Sequence, residues 1–166
     1  MDLKRICLHL VTTSWQVKRI FTPPTLQAIE TAITQSEKTH AGQIRVAVEG
    51  ALNSAALLRG QTASERAIEV FSLLRVWDTE HNNGVLIYVL LADRAVEIVA
   101  DRGIHVKVGT QEWAKICRSM EVTFGRGRYL QGVEAGILAV THCLAKHFPA
   151  GDGEPLGELP DSPVLL

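Results

Sequence analysis

The chain has 166 residues, 46% apolar and 21% charged, with a formal net charge of −1. That length suffices for one domain with its own hydrophobic core, and the near-neutral balance excludes the broad basic field of a nucleic-acid-binding protein. Cys7, Cys117 and Cys143 form neither a C-x-x-C motif nor an even-numbered disulfide framework, which fits a reducing, cytoplasmic setting.

In chain order, residues 1–21 place Leu3, Ile6, Cys7, Leu10 and Val11 at helical spacing and predict a short amphipathic helix before a turn. Docking of its apolar face on the domain is the first expectation. A peripheral membrane or partner contact is the second, favoured by Lys4, Arg5, Lys18 and Arg19 beside Trp15. The apolar run Ile6–Val11 is too short for a signal peptide, and no stretch reaches the roughly 20 apolar residues of a spanning helix. Neither a signal peptide nor a membrane anchor is expected.

Thr22-Pro23-Pro24 is a helix start, because proline's missing N–H costs nothing in a first turn. The helix is expected to run to about Thr39 with Leu26, Ile29 and Ile33 on one face. After Ala41-Gly42, the alternation over 43–49 places Ile44, Val46 and Val48 on one side of a strand. Thr62 and Glu65 form a capping box. The helix that follows, 63–76, is expected to bury Ala67, Val70, Phe71, Leu74 and Trp77. Residues 84–92 are almost wholly apolar, the pattern of a central strand covered on both faces. The short Asp93-Arg94 link to a strand over 95–100 requires antiparallel pairing, so the sheet is mixed. Two helical patterns follow, one carrying Trp113, Ile116, Cys117 and Met120, the other Leu130, Val133, Ile137, Val140 and Leu144. The last sixteen residues hold three prolines and four acids without one base, a composition that predicts an extended or disordered tail. Its apolar end, Val164-Leu165-Leu166, is expected to pack on the domain or on a neighbouring subunit.

Glu65-Arg66-Ala67-Ile68-Glu69-Val70-Phe71, the run from Val76 through Asn82-Asn83-Gly84 to Val89, and the run from Val96 through Asp101-Arg102-Gly103 to Ile104 together resemble the TPM domain family. The similarity extends from about Thr22 to Phe148. It implies a single α/β domain with a mixed β-sheet sandwiched between helices, and divides the chain into an N-terminal segment 1–21, a TPM-like domain 22–148 and a tail 149–166. It also implies divalent-metal binding, ascribed to some members, and phosphatase activity, ascribed to others. Further members are accessory proteins without a known reaction.

Asp78, Glu80, Asn82 and Asn83 put four oxygen-bearing side chains into six residues, the donor type that calcium and magnesium prefer. Counted from Asp78, the EF-hand glycine and bidentate acid positions hold Asn83 and Val89, so the loop is not an EF-hand. The alternative is a helix exit and strand entry, work these residue types commonly do. A hairpin turning near Asp93 brings Asp101 towards Leu86 and Asn83 opposite His105, adding Asp101 and Arg102 to the loop. His81 and His105 fall at the same end without a spaced metal motif, and His142 and His147 read as structural near a helix end. Arg66 and Arg102 are candidate phosphate partners, with two solvated arginines as the simpler reading. Gly125-Arg126-Gly127-Arg128 lacks P-loop spacing and reads as a joint between helices. The cysteine-phosphatase loop and the G-x-S-x-G elbow are both absent.

The sequence therefore predicts a metal-binding accessory or interaction module, with calcium or magnesium as the cation and no organic cofactor. A metal-dependent phosphomonoester hydrolase of low specificity is the alternative. Another protein is the expected partner, nucleic acid is not, and the residues leave both enzymatic status and oligomeric state open.

Overall fold

Two strand types organise the molecule. β1 (Gln43–Glu49) and β2 (Gly84–Leu90) are buried along their whole length, and they lie parallel with Gln43 opposite Gly84 and Glu49 opposite Leu90. β3 (Ala95–Ala100) returns antiparallel to β2. A short β4 (Val164–Leu165) pairs parallel with β1, giving the order β3-β2-β1-β4. The architecture comes from a computed structural model describing residues 3–151 and 157–166.

The two faces of the sheet carry separate apolar clusters. Ile44, Val46, Val48, Val85, Ile87 and Val89 face one side. There they pack with α3 (Pro23–Ser36), α6 (Arg102–Val108), α7 (Thr110–Gly125) and α8 (Tyr129–His147). Ala47, Leu86, Tyr88 and Leu90 face the other, under α4 (Ser54–Leu58) and α5 (Ala63–Leu73). Helices on both faces explain why β2 reads as a continuous apolar run. The α/β class, the mixed sheet and the sandwich of helices are as the sequence predicts.

Several local expectations are corrected. α5 stops at Leu73, and Arg75 takes a left-handed conformation (φ 53°) that turns the chain. Val76 then fills the buried place, while Trp77 is 48% exposed with the Arg75 guanidinium over its ring. α3 likewise ends at Ser36, short of Thr39. The hairpin turns one residue earlier than expected, between Ala92 and Asp93. Val85 pairs with Ala100, and the Asp101 N–H donates to the Gly84 carbonyl, so Asp101 lies opposite Gly84 and not Leu86. α6 is a separate short helix, divided from α7 by Gly109 at φ 85°.

The described part of the tail is ordered against the domain. Leu159 N–H donates to Gln43 Oε1, Thr34 donates to Asp161, and Leu166 N–H donates to the Val48 carbonyl beside β4. Of the two expectations for Val164-Leu165-Leu166, packing on the domain is the one found. Residues 152–156, part of the same tail, lie outside the described residues, as do residues 1–2.

The N-terminal segment forms two helices, α1 (Leu3–Val11) and α2 (Ser14–Ile20), the second started by a Thr13–Gln16 capping box. α2 docks through Val17, but α1 docks by its polar side. His9 is 3% exposed, whereas Leu3 and Leu10 are each 70% exposed and Val11 63%. The expectation that the apolar face of this helix packs on the domain is thus reversed. No helix among the described residues is long and apolar enough to cross a membrane.

Candidate functional site

The segment between α5 and β2 is a compact, self-bonded turn. Asp78 N–H donates to the Arg75 carbonyl, Asn82 N–H to the Thr79 carbonyl and Asn83 N–H to Thr79 Oγ1. Asn82 has φ 51°, a conformation that asparagine tolerates better than most residues. Gly84 has no room for a side chain, because a Cβ there would collide with the Val76 carbonyl. Gly103 is similarly confined, its Cβ position lying 2.5 Å from Asn82 O and 2.8 Å from His81 O. The Ile104 N–H donates to Asn82 O, so the start of α6 is sewn to the loop.

This stitching brings Asp101 and Arg102 to the loop. Asp101 caps α6, with Oδ1 accepting from the Arg102 N–H at 2.6 Å and its carbonyl accepting from His105 N–H. Its other carboxylate oxygen, Oδ2, is buried and has no hydrogen-bond partner. Buried polar atoms in folded proteins are nearly always satisfied, so an orphaned carboxylate oxygen marks a place for a proton, a water or a cation.

The remaining candidates are divided. Asp78 forms an exposed ion pair with Arg75 at 2.8 Å. Glu80 is exposed, and its backbone N–H donates to the Glu158 carboxylate at 3.2 Å, which brings an unforeseen acid from the tail to the loop. Asn82 is exposed. Asn83 is spent on the fold: it is buried, and its Nδ2 donates to the Ala41 carbonyl at 3.0 Å. Among the described residues, no three His, Cys, Asp or Glu side chains converge as a metal-binding group. The oxygen donors suit a hard cation in chemistry, and one of them lacks a partner, but no cage of carboxylates is preformed. His81 is exposed, and His105 lies in the last turn of α6, no longer opposite Asn83.

The two arginines proposed for phosphate do not meet. Arg66 binds Glu49 through Nε–Oε2 at 2.8 Å and Nη2–Oε1 at 3.1 Å, with Nη1 on Glu69. Tyr88 donates to the same Glu49 carboxylate at 2.7 Å. The Glu49 hydrogen bond holds the Arg66 guanidinium firmly protonated, and burial followed by Glu49 raises the Tyr88 phenol. Glu49 lies opposite Leu90, at the far end of β2 from Gly84. Six residue-to-residue steps along the strand separate those ends by about 20 Å. Arg66 is therefore neutralised and remote, while Arg102 is exposed beside Asp101.

His142 and His147 line an open groove of about 410 Å³ with Cys143, Lys146, Glu112 and Lys107. Burial raises the thiols of Cys143 and Cys117, the latter to about 12 with Glu97 adding to the effect. Neither resembles an activated nucleophile.

Fold and loop together define a three-layer α/β domain with a stitched acidic turn at one end of its sheet. The TPM domain family matches residues 16–143, and the chain belongs to that family. It is similar to the BA42 protein of the psychrophilic bacterium Bizionia argentinensis, with 32% identity and a TM-score of 0.76 over 87% of this chain and 94% of that one. It is also similar in fold to the N-terminal domain of a protein from P. gingivalis, at 16% identity and a TM-score of 0.62 over 78% of this chain and 82% of that one. No curated protein matches the chain significantly.

Proposed function

We propose that this TPM domain is a divalent-cation-binding accessory module, with Asp101 at the centre of its site and Asp78, Glu80 and Asn82 at the rim. The observation that carries the reading is the buried, unpartnered Asp101 Oδ2 beside a loop rich in oxygen donors. Calcium suits such a set better than magnesium, because it accepts irregular oxygen shells whereas magnesium demands a near-octahedral one. The Asp78–Arg75 pair is a surface contact of the kind worth about 0–1 kcal/mol, so a cation can compete for that carboxylate. Asn83 belongs to the scaffold in this reading.

Thermal denaturation in calcium, magnesium or EDTA tests the proposal. Calcium is expected to raise the melting temperature of the native chain and to leave an Asp101→Asn variant unmoved. At a calcium concentration about a hundred times the dissociation constant, the gain is about 2.7 kcal/mol. No shift in the native chain, or an equal shift in the variant, sinks the cation site.

Metal-dependent phosphomonoester hydrolysis of low specificity is the alternative. It is supported by Arg102 alone, since Arg66 sits in ion pairs at the other end of the sheet. Turnover of a phosphomonoester that disappears in Asp101→Asn would favour it over the accessory role.

A further inference from the structure

α1 is mounted with its apolar side outward. Arg5 and His9, one turn apart, point inward and hold Asp93 in the β2–β3 turn. Arg5 Nη2 reaches Asp93 Oδ2 at 2.8 Å, and His9 Nε2 reaches Oδ1 at 2.9 Å. The Leu52 N–H donates to His9 Nδ1 at 3.0 Å, which places the ring proton on Nε2, donating to Asp93. Burial pushes the Asp93 carboxyl up, but the hydrogen bonds from Arg5 and His9 outweigh it and hold the group below its usual range. Opposite this polar anchor, Leu3, Leu10 and Val11 meet solvent, followed by Trp15 at 65% exposure with the Arg19 guanidinium 5.4 Å from its ring centre.

Beside them lies an open cleft of about 400 Å³ lined by Val11, Trp15, Arg19, Leu91, Arg94 and Tyr129. A second cavity of about 240 Å³ shares Leu91, Arg94 and Tyr129 and reaches Gly125 and Gly127 in the α7–α8 turn. Arg126 and Arg128 of that turn are exposed. Residues 1–29 contain four lysines and arginines and one acid, Asp2. Among the described residues, Glu121 is the one acid lining either cavity, and it is engaged as acceptor for the Val96 N–H at 3.0 Å. The patch thus combines exposed aliphatic groups, an interfacial tryptophan and a cleft rimmed by arginines.

We propose that α1, α2 and the Arg19–Arg94 cleft form a docking surface for an anionic phospholipid bilayer. Leu3, Leu10, Val11 and Trp15 enter the headgroup–acyl boundary, and the arginines meet lipid phosphates. Trp15 and the arginines would serve either kind of surface, but exposed Lys4 and Lys18 on the same two helices favour the headgroup boundary, because lysine is depleted from protein interface cores and enriched on the polar face of interfacial helices. The anchoring of α1 through buried polar groups leaves the apolar side free without unfolding any part of the domain. This surface lies at the Leu90 end of β2, away from Asp101, and is independent of the cation reading.

Sedimentation with vesicles of phosphatidylcholine, alone or mixed with phosphatidylserine, tests the proposal. Binding is expected to the mixed vesicles only, with a blue shift of tryptophan emission that is lost in Trp15→Phe. Leu10→Glu, at an exposed site where the fold is undisturbed, abolishes binding. Arg19→Gln and Arg94→Asn each weaken it about fivefold, the factor matching about 1 kcal/mol per basic residue near an anionic surface. Asparagine is chosen at 94 because that residue has φ 53°. Equal binding to neutral vesicles, binding that survives Leu10→Glu, or a solution dimer that Leu10→Glu dissociates would each overturn the assignment.

Discussion

Glu37 follows the last turn of α3 and is 5% exposed, with Oε1 buried and unpartnered. Burial, and then the Asp161 carboxylate of the tail, push its pKa from 4.5 to about 7. The folded chain therefore binds a proton at Glu37 between these values that the unfolded chain has released. Stability from this proton is fully present below 4.5 and is lost as pH rises through about 7. At about 1.4 kcal/mol per pH unit, the loss is about 3 kcal/mol. Nearby His40 acts in the opposite direction: burial lowers its pKa from 6.5, so the unfolded chain takes up the proton first and stability falls as pH drops below 6.5. The raw pH profile mixes the two, so the informative quantity is a difference. Glu37→Gln retains His40 and imitates the protonated carboxyl. Urea denaturation of both proteins from pH 4.5 to 8 should show the variant gaining about 3 kcal/mol relative to the native chain as pH rises. Parallel profiles, or a variant that loses ground at high pH, would refute the assignment of a protonated Glu37 beneath the tail.

Gly84→Ala forces a methyl group into the Val76 carbonyl, and circular dichroism melting should show a loss of about 3 kcal/mol or more, with the loop and β2 displaced together. Arg66→Met leaves the Glu49 carboxylate buried beside Tyr88 without its cation, and chemical denaturation should register a cost of about 3 kcal/mol. That variant is expected to leave any calcium-dependent stabilisation unchanged, because Arg66 lies at the other end of the sheet. Asp93→Ala removes both carboxylate oxygens that Arg5 and His9 share, and hydrogen exchange should then show α1 amides losing protection while β2 and α8 keep theirs.

The features readable from sequence are those fixed by neighbours along the chain. The Thr62–Glu65 capping box starts α5 as expected because both partners lie within one turn, and the apolar run of β2 reports that it is covered on both faces. What escaped the sequence depends on partners far apart. Periodicity finds the apolar stripe of α1 but carries no information about which way the stripe points; that is decided by Asp93, more than eighty residues from Arg5 and His9. The pairing of Arg66 with Glu49 spans seventeen residues and two elements, and Glu158 reaches the Glu80 amide across seventy-eight. A one-residue shift in the hairpin turn likewise moves Asp101 from Leu86 to Gly84. The shift leaves Asp101 beside the loop because the tie from Ile104 N–H to Asn82 O and the confinement of Gly103 fix α6 against it. In each case a charged group settles where its long-range partner is, and the two ends of the sheet consequently differ in kind. One end holds an acidic turn with an unsatisfied carboxylate oxygen, the other an arginine-rimmed cleft beside an outward-facing apolar helix. Separation by the length of β2 keeps the proposed cation site and the proposed membrane surface from competing for the same residues.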